Sequence, residues 1–252
     1  MIERLLERSE PGNVEYVALD LDPENSVAAA RRLQSWAAGH GARWSTSAAS
    51  MWRIETSGAR VDVRWVTASL TDASTPDGSF DAVLAQSFLD LVDLDAALPR
   101  LLGALRPGGL FYFSLNFDGL TAFLPEIEAA LDRAIVNTYH ASMDVRRDGG
   151  RLSGGSQTGR RLLVELPRHG GEVLAAGASD WIVFPRDGKY PDGEGHFLTD
   201  ILGMVETSVR ASGAIPAEQL SAWVARRRRQ VDEGQLIFIA HQLDVTGRRP
   251  GG

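Results

Sequence analysis

The chain has no cysteine. That excludes disulfides, zinc–thiolate centres and cysteine nucleophiles, and it leaves the compartment open. No apolar run approaches the roughly 20 residues that a membrane-spanning helix requires, so no membrane partner is expected. Positive charge is not in excess: 26 Lys and Arg stand against 33 Asp and Glu, a formal net charge of −7. A nucleic-acid backbone is therefore a poor candidate partner. The five histidines, His40, His140, His169, His196 and His241, are scattered without ligand spacing, so no metal site is expected. No hydrophobic leader opens the sequence. Met1 to Arg8 reads as a charged amphipathic helix, and a cytoplasmic protein is the default expectation. What is present is ordinary globular composition, 44% hydrophobic and 23% charged over 252 residues, enough for a sizeable core.

The periodicity predicts strands alternating with helices. Pro11-Gly12 closes the first helix, and Val14 to Leu21 is a continuous apolar strand of the kind buried on both faces of a parallel sheet. Asp22 is placed to cap the next helix, with Pro23 at its first position and a stripe of Val27, Ala30, Leu33, Trp36 and Ala37. Val61, Val63 and Trp65 alternate with Asp62 and Arg64, which predicts a half-exposed strand near a sheet edge. Asp77-Gly-Ser-Phe-Asp81 turns into the short strand Ala82–Ala85. Leu94 to Leu105 is a helix stopped by Arg106-Pro-Gly-Gly109, and Leu110 to Asn116 is the following strand. Helices are predicted within Gly119–His140, a polar Gly-rich loop over Asp144–Ser156, a helix over Thr158–His169 and a strand over Glu172–Phe184. After them come a loop at Pro185–Gly195, two further helices, a last strand over Leu236–Leu243, and a tail, Gly247–Gly252, without order. This alternation is an α/β pattern with a doubly wound, mostly parallel sheet.

Asp20 ends the first strand. A carboxylate at that place can accept hydrogen bonds from both hydroxyls of a ribose. In dinucleotide folds a glycine fingerprint precedes this acid by about 20 residues. Asp20 is itself residue 20. The expectation is a chain that begins after that loop, with Met1 an internal methionine of a longer reading frame.

Three segments together resemble the class I S-adenosylmethionine-dependent methyltransferases. Val17-Ala-Leu-Asp20-Leu-Asp-Pro23 is similar to the family's second strand and acid. Asp77-Gly-Ser-Phe-Asp81-Ala-Val-Leu-Ala-Gln86-Ser-Phe-Leu-Asp90 is similar to its fourth strand and following loop. Leu101-Leu-Gly-Ala-Leu-Arg-Pro-Gly-Gly109-Leu-Phe-Tyr-Phe is similar to the helix, turn and fifth strand after it. The resemblance implies a Rossmann-like core with an antiparallel C-terminal strand pair and helical insertions, S-adenosylmethionine as cofactor, and a small-molecule acceptor. The implied organisation is a cofactor core over 1–118 lacking its first strand, an insertion over 119–156, and the rest of the sheet over 157–246 with a second insertion at 185–234. Where the family often places an acid after its third strand, this chain has Ser69, with Asp72 close behind.

By the same resemblance Asp20 and Leu21 hold the ribose side of the cofactor, Ser69 and Leu70 flank the adenine, and Gln86 and Ser87 face the methionine end. Asn116 and Phe117 line the acceptor pocket, and Trp181 is placed to stack on a substrate. Methyl transfer needs a general base only if the acceptor must lose a proton. His140, Tyr139, His241 and Asp144 are the candidates, His241 also reading as an ordinary core histidine. The Arg226–Arg229 run reads as a solvated helix face. Two other classes stay open at this level. One is an NAD(P)-dependent oxidoreductase, because a strand-end acid also suits a nicotinamide ribose. The other is a cofactor fold kept as a binding protein without catalysis.

Overall fold

The computed structural model describes residues 2–7, 12–74 and 77–251. Met1 and Pro11, with the expectations attached to them, lie outside the described residues. The chain divides into two compact units, Met1–Thr75 and Pro76–Gly252, a division that falls inside the segment read above as one cofactor core.

The first unit contains α1 (Ile2–Glu7), β1 (Gly12–Asp20), α2 (Pro23–Gly39), β2 (Arg43–Ala48), β3 (Met51–Glu55) and β4 (Ala59–Thr67). Its sheet has the order β1-β4-β3-β2, with β1 and β4 parallel and the other pairs antiparallel. Asp22 caps α2 as predicted, its side chain accepting the Glu24 N–H at 2.8 Å with Pro23 at the helix start. Leu33 and Ala37 of α2, with Ile2 and Leu6 of α1, bury against Trp52, Ile54, Val61 and Val63. The strand expected near an edge, β4, is instead an inner one. Its polar residues are tolerated there because Asp62 pairs across strands with Arg53 at 2.5 Å and along the strand with Arg60 at 3.1 Å. The β2–β3 hairpin has no apolar run to announce it.

The second unit contains β5 (Phe80–Gln86), α3 (Leu94–Ala104), β6 (Leu105–Leu124), α4 (Ala129–Asp144), β7 (Arg147–Asp148), β8 (Arg151–Leu152), α5 (Thr158–Arg168), β9 (Glu172–Ala178), β10 (Trp181–Val183), α6 (Glu194–Ser212), α7 (Ala217–Asp232) and β11 (Ile237–Arg248). β5 and β6 are parallel neighbours. β11 runs antiparallel to β6 and carries β10 and β9 on successive stretches of its far edge.

Four expectations are corrected here. β6 runs to Leu124, so Gly119–Leu124 is strand rather than helix. Its Leu115 lies at φ 57°, and this kink lets one strand continue past the turn residues Asp118 and Gly119. The Glu172–Phe184 strand is two strands, broken at Ser179-Asp180. The segment 144–156 is no open loop: it contains the β7–β8 hairpin, and Ser153–Ser156 is buried. The tail is ordered through β11, where Gly247 pairs with Val173. A Cβ at Gly247 would stand 2.1 Å from the Glu172 carbonyl oxygen and 2.3 Å from the Phe111 ring, so this close approach admits only glycine.

Helices α4, α6 and α7 cover one face of the second sheet. Ile135, Leu198, Leu202, Val205, Leu220 and Trp223 pack there against Phe123, Phe238 and Ala240. Within this apolar layer lies an ion pair. Arg227, fully buried, donates from Nη2 to Asp132 Oδ1 at 2.8 Å and from Nη1 to the Pro125 carbonyl at 2.7 Å. Its guanidinium carbon lies 5.2 Å from the Trp223 ring and 5.6 Å from the Phe123 ring. Trp223 Nε1 and the Ile127 N–H also donate to the Asp132 carboxylate, at 2.5 and 2.9 Å. The Arg226–Arg229 run is therefore not one solvated face. Its second member is core, and Arg228 pairs with Glu206 at 3.1 Å.

Candidate active site

In the first unit, the parallel strands β1 and β4 end side by side, Asp20 opposite Thr67, and the Ala68 N–H donates to the Asp20 carbonyl at 3.1 Å. The Asp20 carboxylate accepts one bond on each oxygen, from the Asp22 N–H at 2.8 Å and from Asn25 Nδ2 at 3.1 Å. It thus takes part in starting α2, as does Asp22. Leu21 beside it is 70% exposed, a large apolar side chain with no core to join. The turn after β4 is tied by its own side chains: Ser69 Oγ donates to Asp72 Oδ2 at 2.7 Å and accepts the Asp72 N–H at 3.2 Å, with Leu70 between them.

In the second unit, β5 ends at Gln86, which is exposed. Ser87 follows in a left-handed conformation, φ 49°, with its N–H on the Ser114 carbonyl at 3.0 Å. On the neighbouring strand Leu115 is also left-handed. Two non-glycine residues in this region cost on the order of 1–3 kcal/mol each and persist only where surrounding contacts impose them. At Leu115 the imposing group is Asp244. Its carboxylate accepts the Leu115 N–H at 2.9 Å, the Tyr112 hydroxyl and the Ser179 hydroxyl. Burial pushes the Asp244 carboxyl up, but these three donors together outweigh burial and hold it below its ordinary value.

Beyond the kink, Phe117 meets the edge of the His140 ring, centroids 5.1 Å apart, and His140 Nε2 lies 3.0 Å from Thr121 Oγ1. Burial lowers the His140 pKa, opposed by the Asp144 carboxylate. The imidazole is therefore neutral at pH 7 and able to take a proton. Tyr139 points elsewhere. It is part of the apolar core, and burial raises its pKa. Asn116 does not line a pocket: fully buried, its amide donates to the Phe113 and Leu243 carbonyls at 3.0 and 2.9 Å, holding β6 to β11 at the kink. His241 sits between two carboxylates, Nδ1 at 2.6 Å from Asp180 Oδ1 and Nε2 at 3.8 Å from Asp118 Oδ2. Arg160 holds Asp118 in a fork of 2.9 and 3.0 Å. Both His241 nitrogens thus face carboxylates, as a structural histidine's do. Trp181 opens β10 and packs edge-on against Phe197 at 4.7 Å.

Sequence reasoning missed Asp90. It lies in the loop after β5, beneath Gly154 and Gly155. A Cβ on Gly154 would stand 2.4 Å from the Leu89 carbonyl oxygen and 3.0 Å from the Asp90 Cα. Asp90 Oδ1 is buried with no hydrogen-bond partner, and burial raises its pKa, opposed by its own backbone N–H and then by Arg146. No local pattern marks an aspartate that turns inward, because the covering glycines come from the distant 144–156 segment. The ionised form of a group with a raised folded pKa opposes folding, so its contribution is favourable below the ordinary carboxylate range and is lost as the pH climbs through the folded value. Asp90→Asn is expected to raise the urea midpoint at pH 8 and to lose most of that advantage at about pH 3.5, below the ordinary carboxylate value. An equal gain at both values would mean that charge is not the cause.

Residues 4–113 match the family model of a methyltransferase domain. This part of the chain is similar to a methyltransferase domain. The match spans β1, the turn after β4, β5 and the first half of β6, and so takes in the strand ends just described. Among solved structures, a candidate methyltransferase from Bacillus halodurans shares the fold at a TM-score of 0.50 and 12% identity, over 98% of this chain and 97% of its own. A candidate type II methyltransferase from Anaeromyxobacter dehalogenans aligns over 100% of this chain and 96% of its own, at 17% identity and a TM-score of 0.49. No curated protein matches the sequence at a significant level.

The end of β1 carries acceptors of the kind a ribose of S-adenosylmethionine would require. The Asp20 carboxylate makes one bond per oxygen, and each oxygen keeps a lone pair for a ribose hydroxyl. Leu21 offers uncovered apolar surface next to it.

Proposed function

We propose that this methyltransferase acts on a small-molecule acceptor, with His140 as general base. The observation that carries the reading is the Phe117–His140–Thr121 group of the second unit. It places a half-buried, neutral imidazole against an aromatic ring just past the end of the parallel β5–β6 pair. Open α/β sheets bind ligands outside the carboxyl ends of their strands. The basic run on α7 gives no support to a nucleic-acid acceptor, because its Arg227 is core and its Arg228 is paired.

When bound, S-adenosylmethionine supplies a methyl group already activated by its sulfonium charge. The chain's residues bind, orient and handle protons. In the first unit Asp20 accepts from the ribose hydroxyls, Leu21 packs beside them, and Ser69 and Leu70 border the adenine. In the second unit Gln86 and Ser87 serve the methionine end. Phe117 positions the acceptor, Trp181 contributes an exposed aromatic face, and His140 takes the proton of an O–H or N–H nucleophile at Nε2, giving up its contact with Thr121. Alignment of nucleophile and donor, rather than covalent chemistry by the protein, supplies most of the acceleration.

Calorimetric titration of the whole chain with S-adenosylhomocysteine tests the cofactor part, with saturable 1:1 binding expected. Absence of heat at millimolar ligand removes the reading. Product release with S-adenosylmethionine and separate pools of phenols, amines, carboxylic acids and bulk RNA tests the acceptor part. Turnover with RNA alone would overturn it.

A further inference from the structure

We propose that Asp95, Glu165 and His169 form a zinc site that clips α3 to α5. One donor atom from each of the three side chains lies within 4.8 Å of the others. His169 Nε2 and Asp95 Oδ1 are 3.4 Å apart. Tetrahedral zinc with bonds of about 2.0–2.2 Å sets its donors about 3.3–3.6 Å apart, so this pair already has the required spacing. Glu165 brings the third donor, no more than 4.8 Å from the other two, and Asp95, 75% exposed, is free to adjust toward it.

The elements make the arrangement repeatable. Glu165 lies in the last turn of α5, and His169 follows it by four residues as the cap of that helix. The His169 N–H bonds to the Glu165 and Leu166 carbonyls, which fixes its backbone at the helix end. Asp95 sits in the first turn of α3, just after the capping Asp93, whose Oδ1 accepts the Asp95 N–H at 3.2 Å. Glu165 uses one oxygen on Arg168 at 3.1 Å, which orients its carboxylate as an outer partner of a metal ligand does.

Charge argues for a cation in the middle. Two carboxylates and an imidazole lone pair converge, and Arg168 is the one cation whose ion pair with the three is seen among the described residues. A divalent ion serves all three. A nitrogen in the set selects a borderline metal such as zinc over calcium or magnesium, which take oxygen. Three protein ligands leave a fourth position for water on the open Asp95 side. None of the three residues belongs to the strand-end group assigned to methyl transfer, so the site stands apart from that reading. Sequence spacing hid it because the third ligand lies on another helix.

The test is calorimetric titration of the chelator-stripped whole chain with zinc chloride alone. One zinc per chain is expected at micromolar affinity, weakened tenfold or more in His169→Ala and in Asp95→Asn. Zinc should raise the thermal midpoint of the parent and leave that of His169→Ala unchanged. Asp95→Asn changes an exposed side chain, so it keeps the measurement meaningful should the histidine variant fold poorly. Absence of zinc binding, or binding that survives both substitutions, overturns the proposal.

Discussion

Replacing Asp132 by alanine lowers the stability of the second unit by an expected 3–5 kcal/mol, roughly what losing one partner of a buried pair costs. The size follows from what is left behind. Arg227 is sealed between Phe123 and Trp223, and its Nε already lacks a partner. Without Asp132 its charge is uncompensated in an apolar layer, and the Trp223 and Ile127 donors lose their acceptor as well. Urea unfolding followed by tryptophan fluorescence reads the effect as a fall in midpoint at unchanged slope. The pH dependence has a defined sign. Burial pushes the Asp132 carboxyl up, but the Trp223, Ile127 and Arg227 bonds outweigh it and hold the group below its ordinary value. Its stabilisation is complete above the ordinary carboxylate range and is lost as the pH falls through the folded value. The paired replacement Asp132→Leu with Arg227→Met should recover most of the loss, since a buried pair is often no better than an apolar isostere. A double variant as unstable as the single one would show that the damage comes from packing rather than from the stranded charge.

The largest catalytic effect is expected at His140. His140→Gln should reduce kcat by about 10²–10⁴-fold, the usual range for one general acid–base group, with S-adenosylhomocysteine affinity unchanged. Because burial depresses the His140 pKa, the acid limb of the parent's rate profile should fall below the ordinary histidine value of about 6.5. That limb should be absent from the residual activity of the variant. A variant that keeps the limb, or that loses cofactor binding along with rate, would give the proton-accepting role to another group. His241→Gln is the natural comparison. With both nitrogens facing carboxylates, it should disturb the Asp118–Arg160 network and stability more than the rate profile.

The parts legible in the sequence are those that local chemistry determines. Asp22-Pro23 specified the start of α2, and apolar runs marked β5, the Leu110–Asn116 stretch of β6 and β1. However, β6 already begins at Leu105, and β1 is a half-exposed edge strand rather than one buried on both faces. The Asp20 strand end and the Asp77–Asp90 and Leu101–Phe113 segments were enough to point to the methyltransferase family. What stayed hidden depends on partners far along the chain. Gly119 reads as a break until Asp244 is seen holding the Leu115 kink that carries β6 through it. Asn116 reads as a pocket residue until β11 supplies the Leu243 carbonyl. Asp90 gains its unusual setting from glycines of the 153–156 segment. The Val61–Trp65 alternation looked like an edge because the ion pairs that allow polar residues on an inner strand come from Arg53 and Arg60.

The Asp244 clamp has a further consequence. Past the kink, β6 sends Phe117, Thr121 and Phe123 toward α4 and α7, whereas Asp118 faces α5 through Arg160. Side chains alternate along a strand, so a slip of one residue would exchange the two faces. A carboxylate would then enter the apolar layer, and an aromatic ring would meet the guanidinium. One aspartate, fastened at once to Tyr112, Leu115 and Ser179, therefore acts as the phase reference for everything downstream on that strand. Whether His140 meets its aromatic neighbour is decided two residues before that neighbour, at a position that takes no part in the chemistry.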